Sequence, residues 1–200
     1  MYDQEFWNER YTDEKYLYGT EANTFLMENT DLLHGPVLSL SEGEGRNAVF
    51  MAARGLSVLG VDGSAVGLKK AESLAKSRGV VIETEAVDLA EFRPKKNYYG
   101  SVVSISAHLP STIRNRLYPL VETALKLSGI LLLEAYSEDQ LSKNTGGPKD
   151  IDMLISVAKL QREFPNLKPI LAREIEREVR EGESHTGMAS VVQYIDRKEA

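Results

Sequence analysis

Short apolar segments rich in β-branched residues alternate along this chain with segments of helical length. The strand-like segments are residues 37–40, 57–61, 80–87, 101–105 and 130–134. Such alternation is typical of βαβ units, in which parallel strands form one sheet and the connecting helices pack on both of its faces. We therefore predict an α/β fold with a mostly parallel sheet.

Capping residues mark the ends of the predicted helices. Ser64 precedes a segment whose apolar residues share one helical face, and Gly79 ends that segment. A second helix is predicted from Ser111 onward, and Pro119 is expected to kink or divide it.

The last third of the chain has a different pattern. A Gly-Gly-Pro loop at 146–148 precedes one or two short helices within 151–164. Residues 174–181 suit either a solvated helix or a strand, because Glu and Arg alternate there with apolar residues. Turn-forming residues at 181–184 and a strand-like segment at 188–195 favour a terminal β-hairpin.

Length and composition exclude several classes of protein. The 200 residues predict one domain, 1–200, with an aromatic-rich N-terminal arm at 1–35 and a core at 36–200. The absence of Cys excludes disulfides, thiolate metal sites and Cys nucleophiles. A net charge of −6 and the lack of a long apolar run argue against nucleic-acid and membrane partners. We expect a soluble, cytoplasmic protein.

A glycine-rich turn between the first strand and the next helix carries the main chemical pattern. Gly43-x-Gly45-x-x-Ala48 is a variant of the dinucleotide-binding fingerprint. The next strand ends in Asp62, whose carboxylate is suited to accept hydrogen bonds from ribose hydroxyls. This order and spacing predict nucleoside binding, although such glycines also serve packing and such an acid is often a helix cap.

Asp88 directly follows the third predicted strand. In an open parallel sheet the ligand lies beyond the carboxyl ends of the strands, so Asp62 and Asp88 are expected to face one crevice. There Asp88 could accept a hydrogen bond from an adenine amino group, and a turn-capping role is the alternative.

Four segments together resemble a known family. They are Phe6-Trp7-Asn8-Glu9-Arg10-Tyr11, Tyr18-Gly19-Thr20-Glu21, Glu42-Gly43-Glu44-Gly45-Arg46-Asn47-Ala48 and Ser184-His185-Thr186-Gly187. With them the chain resembles the class I S-adenosylmethionine-dependent methyltransferases, especially the small bacterial proteins similar to the tellurite-resistance methyltransferase. The resemblance implies a Rossmann-like, seven-stranded sheet with an antiparallel last strand, S-adenosyl-L-methionine as cofactor, and an N-terminal arm over the cofactor site.

The resemblance also implies roles for individual residues. Gly43 and Gly45 would contact the methionine part of the cofactor, Asp62 the ribose, and Asp88 with Leu89 the adenine. The candidate cofactor-binding residues are Ser39, Glu42, Gly43, Gly45, Asn47, Asp62, Gly63, Ser64, Asp88, Leu89 and Ser104.

Two positions depart from the family pattern. Many family members have an acid where Ser39 stands, to support the cofactor's ammonium group, and a glycine where Ser41 stands. Glu42, three residues after Ser39, could supply the missing charge, but the sequence does not give the direction of its side chain.

The methyl acceptor is expected near the end of the fourth strand. His108 lies there, and the usual pKa of histidine suits a general base, although an isolated histidine is more often structural. Tyr18, His108 and His185 are the candidate substrate-binding residues, and no spacing of His and carboxylates predicts a metal site. The acceptor is expected to be a small molecule, and the sequence indicates no oligomeric state.

Two other functions remain open at this point. A nicotinamide-dependent oxidoreductase would share the glycine-rich turn and Asp62, but it gives no reason for the Asp88-Leu89 site or the terminal hairpin. A non-catalytic module that binds an adenosyl ligand is the other alternative, and the uncharged Ser39 keeps it open.

Overall fold

A computed structural model describes residues 4–182 and 185–199, with the side chain of His185 excepted. It contains a seven-stranded sheet with the strand order β3-β2-β1-β4-β5-β7-β6. The strands are β1 (Val37–Leu40), β2 (Val58–Asp62), β3 (Glu83–Ala86), β4 (Tyr99–Ile105), β5 (Leu125–Tyr136), β6 (Leu167–Glu181) and β7 (His185–Lys198).

Six α-helices lie within the described residues. They are α1 (Gln4–Arg10), α2 (Thr24–Glu28), α3 (Arg46–Ala53), α4 (Ala65–Ser77), α5 (Ser111–Ala124) and α6 (Val157–Glu163). Ser64 caps α4 as predicted, because its hydroxyl accepts a hydrogen bond from the Gly67 N–H at 3.1 Å. Pro119 was expected to kink or divide α5. Division is wrong, since α5 runs through Pro119.

The strand directions confirm the predicted sheet. Strands β1 to β5 pair in parallel, whereas β7 is antiparallel to both β5 and β6. The ambiguous segment 174–181 belongs to β6, where Ile175 and Val179 alternate with charged residues as a half-exposed edge strand requires. The predicted terminal hairpin is therefore confirmed.

Alternate residues of the central strands supply two cores, one on each face of the sheet. Leu131 and Leu133 of β5 pack in the cluster that contains residues of α5 and α6. Ile130 and Leu132 of the same strand pack in the cluster that contains residues of α2 and α3. The helices therefore cover both faces of the sheet. Within the described residues, no helix is both long and apolar enough to cross a membrane.

Candidate functional site

The glycine-rich turn leaves the carboxyl end of β1 at the centre of the sheet. Its backbone enters the left-handed region at Ser41 (φ 53°), Gly43 (φ 58°) and Gly45 (φ 92°). Strand β1 lies between β2 and β4, and the connection from β1 runs toward one edge of the sheet whereas the connection from β4 runs toward the other. This is the switch point at which open α/β sheets bind their ligands.

Asp62 at the end of β2 is joined directly to this turn. Its carboxylate accepts hydrogen bonds from the Gly43 N–H at 2.9 Å and from the Ser64 N–H at 2.7 Å. Burial raises the pKa of Asp62, and the two N–H donors oppose that shift. The side chain thus fixes the turn of β1 to the start of α4.

Glu42 turns back beneath the glycine-rich turn. The carboxyl oxygen Oε2 of Glu42 accepts a hydrogen bond from the Ser39 hydroxyl, and Oε1 accepts one from the Ala48 N–H at 2.8 Å. Burial raises the pKa of Glu42 to about 7, although the hydrogen bonds from Ser39 and Ala48 act in the opposite direction. The sequence left open the direction of the Glu42 side chain. In the structure its carboxyl group lies beside Ser39.

Gly45 has a packing role. A β-carbon at this position would lie 2.5 Å from the β-carbon of Ala71, so the glycine allows α3 and α4 to approach closely. Asn47, two residues later, accepts a hydrogen bond from the Asn23 N–H at 3.0 Å and is buried. It therefore connects the start of α3 to the cap of α2.

The residues after β2 and within β4 lie close to the turn or in the sheet beneath it. Gly63 faces the side chain of Gln4, which would lie 3.5 Å from a β-carbon there. Ser64 is fully buried and donates its hydroxyl proton to the side chain of Asn8 at 2.7 Å. Ser104 is also buried, between Leu40 of β1 and Leu133 of β5.

Asp88 and Leu89 follow β3, on the same edge as Asp62. The Asp88 carboxylate accepts a hydrogen bond from the Ala90 N–H at 2.8 Å, as a turn cap does. The Leu89 side chain is buried in the core on the α5 face. The Val87 N–H donates to the Asp62 carbonyl oxygen at 2.9 Å, which places this turn beside the end of β2.

His108 follows β4 and lies against the ring of Tyr136. Its ring stacks on Tyr136 with a centroid distance of 5.1 Å and an interplanar angle of 3°. Ser106, two residues before His108, adopts φ 55° and turns the chain at the end of β4. Tyr18 lies on the arm, where its ring meets Tyr11 edge-on at 6.4 Å. The side chain of His185 lies outside the described residues.

A buried polar network was missed by the sequence analysis. The carboxylate of Glu134 accepts hydrogen bonds from Asn23 at 2.7 Å, from Gln193 at 2.7 Å and from the Arg177 guanidinium. Asn23 also donates to Glu181 at 2.8 Å, and Glu181 in turn pairs with Arg46 at 2.6 Å. The one local indication was an acid, Glu134, at the end of the otherwise apolar segment 130–134.

A small cavity borders this network. It has a volume of about 10 Å³, close to that needed for one water molecule, and its walls include Ser106, Glu134, Tyr136 and Arg177. No group of three or more His, Asp or Glu side chains able to hold a metal ion occurs among the residues that the structure describes.

Comparison with known proteins gives one family match. Residues 37–129 match the family model described as "Methyltransferase domain", a segment that runs from β1 into β5. No curated protein matches the sequence at a significant level.

Solved structures match over nearly the whole chain. A structure concerned with conversion of a disulfide bond into a thioacetal group during echinomycin biosynthesis has a TM-score of 0.79 at 15% identity, covering 98% of this chain and 92% of that one. A SAM-dependent methyltransferase from Methanosarcina mazei has a TM-score of 0.71 at 16% identity, covering 90% and 99%. TehB from Haemophilus influenzae has a TM-score of 0.70 at 14% identity, covering 98% and 67%.

These similarities confirm the predicted fold. Together with the family match, they imply S-adenosylmethionine as the cofactor.

Proposed function

We propose that this chain, whose fold is that of the class I S-adenosylmethionine-dependent methyltransferases, transfers a methyl group from S-adenosylmethionine to a small-molecule acceptor. The observation that carries the proposal is the junction of Gly43 and Asp62, where a carboxylate at the end of β2 meets the glycine-rich turn at the end of β1. The acidic, Cys-free sequence supports action in the cytoplasm and a small acceptor rather than a nucleic acid.

The residues at this junction fit an adenosyl cofactor. Gly43, in the left-handed region, presents backbone without a β-carbon to a ligand. Asp62 holds a carboxylate beside the turn, as acceptance of ribose hydroxyls requires. The carboxyl group of Glu42 lies beside Ser39, where a charge opposite to that of an ammonium group is needed.

When bound, the cofactor supplies a methyl group already activated by its sulfonium. The chain then has to orient the acceptor, exclude water and, where the acceptor is protonated, remove a proton. We assign to His108 the role of the base that removes this proton, because His108 follows β4 at the switch point and its ring stacks on Tyr136. Tyr18 and His185 remain candidate acceptor contacts.

Calorimetry tests cofactor binding. S-adenosylmethionine and its demethylated product should bind, whereas NAD should not. Asp62→Ala should weaken binding by about 2 kcal/mol or more, because it removes a charged acceptor from buried hydrogen bonds. Glu85→Ala, which removes an exposed carboxylate from the neighbouring β3, is the matched control and should bind normally. Binding of NAD without binding of the sulfonium compound would contradict the proposal.

A panel of acceptors tests the role of His108. With an acceptor that must lose a proton, His108→Ala should lower turnover ~10²-fold, with little change in cofactor affinity. With a soft anionic acceptor, such as a thiolate or telluride, the same substitution should have a small effect. Equal losses for both acceptor classes would exclude His108 as the base.

A second function is favoured by two features of the glycine-rich turn. Because Ser39 carries no charge and Tyr11 lies against Gly43, binding of an adenosyl ligand without transfer is the alternative. Production of the demethylated cofactor from S-adenosylmethionine, measured across acceptors bearing thiol, hydroxyl and amine groups, distinguishes the two. Binding with no product for any acceptor would favour the non-catalytic module.

A further inference from the structure

The side chain of Tyr11 lies directly on the glycine-rich turn. A β-carbon at Gly43 would lie 2.8 Å from the Tyr11 hydroxyl oxygen, and one at Gly67 would lie 2.9 Å from its ring carbon Cδ2. The residue is 6% exposed, so its ring fills the space between the turn and the start of α4. Burial raises the pKa of Tyr11, with further contributions from Asp62 and Glu44, so the side chain stays a neutral phenol.

The segment before Tyr11 is held over the same surface. Trp7 stacks on Tyr11 with a centroid distance of 5.7 Å and an interplanar angle of 24°. The side-chain oxygen of Asn8 accepts hydrogen bonds from the Ser64 hydroxyl at 2.7 Å and from the Val66 N–H at 3.3 Å. Helix α1 therefore lies across the first turn of α4.

The segment after Tyr11 is also tied to the rim of the turn. Lys70 of α4 donates hydrogen bonds to the carbonyl oxygens of Asp13 at 2.6 Å and Lys15 at 2.7 Å. The Leu17 N–H donates to the carboxylate of Glu44, a residue of the glycine-rich turn, at 2.8 Å. Contacts on both sides thus hold Tyr11 against Gly43.

We propose that Tyr11 acts as an internal competitor of the cofactor, so that S-adenosylmethionine binds only when Trp7 and Tyr11 leave the surface of Gly43. The inference rests on the proposed function, which assigns Gly43 and Asp62 to the cofactor. Each carboxylate oxygen of Asp62 accepts one backbone hydrogen bond and keeps a lone pair for a ribose hydroxyl, but the residue is only 8% exposed, so the same rearrangement must uncover Asp62 for a ribose. Part of the cofactor's binding free energy is spent on displacing the arm, and Tyr11 thereby lowers the apparent affinity.

The position of the single tryptophan makes this displacement measurable. Trp7 is the only Trp of the chain and stacks on the residue that must move. Adding S-adenosylmethionine to the unaltered protein should shift Trp7 emission to longer wavelength as the ring becomes hydrated. In Tyr11→Ala, the emission should be shifted before any cofactor is added.

Calorimetry of the same proteins gives the second readout. Tyr11→Ala should bind S-adenosylmethionine at least about tenfold more tightly, because the competing contact is removed. Asn8→Ala, which loosens the segment without altering Tyr11, should change affinity in the same direction and guards against a folding defect in Tyr11→Ala. Tyr98→Ala removes an exposed tyrosine at the opposite end of the sheet and should change neither readout.

The outcomes separate this inference from the function on which it rests. Unchanged or weaker binding by folded Tyr11→Ala and Asn8→Ala would overturn the competitor role and leave the methyltransferase proposal intact. Cofactor binding to the unaltered protein without a change in Trp7 emission would overturn it equally. If none of the proteins, including both loosened variants, binds S-adenosylmethionine, the proposed function fails and the inference fails with it.

Discussion

At the scale of single residues, Ser39 and Ser41 are the two positions at which the resemblance inferred from the sequence implies an acid and a glycine. Ser41 adopts φ 53°, a conformation that costs a residue with a β-carbon roughly 1–2 kcal/mol and glycine almost nothing. The departure at Ser41 therefore leaves strain in the turn. Glu42 places a carboxyl group in contact with the Ser39 hydroxyl.

Glu42 makes stability depend on pH in a defined direction. Its pKa is raised from 4.5 to about 7 by burial, so folding favours the protonated form. The corresponding contribution is fully present below the unfolded pKa and is lost as pH rises through about 7. At ~1.4 kcal/mol per pKa unit, the loss amounts to roughly 3 kcal/mol.

Glu42→Gln should remove this dependence, because the amide stays neutral and still offers an acceptor to the Ala48 N–H and a donor to Ser39. In urea unfolding, the stability of the variant relative to the unaltered protein should increase by roughly 3 kcal/mol between about pH 4.5 and pH 8. Glu91→Gln, at an exposed position after β3, should leave the pH profile unchanged. Parallel profiles for Glu42→Gln and the unaltered protein would show that Glu42 does not titrate in this range.

At the scale of elements, the sequence predicts best where burial is continuous. Every residue of β1 and β4 is buried, and both strands contain only apolar residues and the small residues Ser and Gly, as central parallel strands do. Strand β6 is a half-exposed edge strand whose Glu and Arg residues also suit a solvated helix, so its assignment needed the turn that follows. The continuation of α5 through Pro119 was not predictable from the proline alone.

The start of α2 is a buried element boundary held by several hydrogen bonds. Asn23 is fully buried, its side chain accepts a hydrogen bond from the Leu26 N–H at 3.0 Å, and its amide donates to Glu134 and Glu181. Asn23→Ala should therefore cost about 3 kcal/mol in urea unfolding, combining loss of a helix cap with loss of a donor to two buried carboxylates.

Asn29→Ala at the other end of α2 is the matched control. Its amide makes one hydrogen bond, to the Phe25 carbonyl oxygen at 2.8 Å, and the residue is partly exposed. The expected cost is below about 1 kcal/mol. Similar losses for the two substitutions would mean that the buried carboxylates do not depend on Asn23.

At the scale of the whole molecule, the site joins segments from both ends of the chain. The contact of Gly43 with Asp62 was within reach of the sequence, because neighbouring parallel strands end at the same edge. The hydrogen bond from Asn23 to Glu134 spans 111 residues, and no local pattern indicates it. The same holds for Tyr11 on Gly43, since aromatic residues in an arm predict burial but not the surface that they cover.

Gly182 directly follows β6 in the β6–β7 hairpin, and it is where the hairpin contacts the N-terminal arm. It adopts φ +68°, and a β-carbon there would lie 2.1 Å from the Leu17 carbonyl oxygen and 2.7 Å from the Tyr18 Cα. The carbonyl oxygen and Cα belong to backbone, so they cannot give way as a flexible side chain would. Gly79, at the end of α4, adopts φ +69° with no atom within 4 Å of the same position. Alanine at Gly79 therefore measures the cost of the left-handed backbone alone, whereas alanine at Gly182 adds the steric contact with the arm.

Both alanine variants should lose about 1 kcal/mol to the left-handed backbone. Gly182→Ala should lose a further ~1–3 kcal/mol, as overpacked sites do, because the arm has to move away from the hairpin. Hydrogen exchange should then accelerate at residues 11–19 in Gly182→Ala and stay unchanged there in Gly79→Ala. If the two variants lose equal stability and protect the arm equally, the hairpin does not hold the arm, and the contacts of Asn8, Lys70 and Glu44 alone keep Tyr11 on the turn.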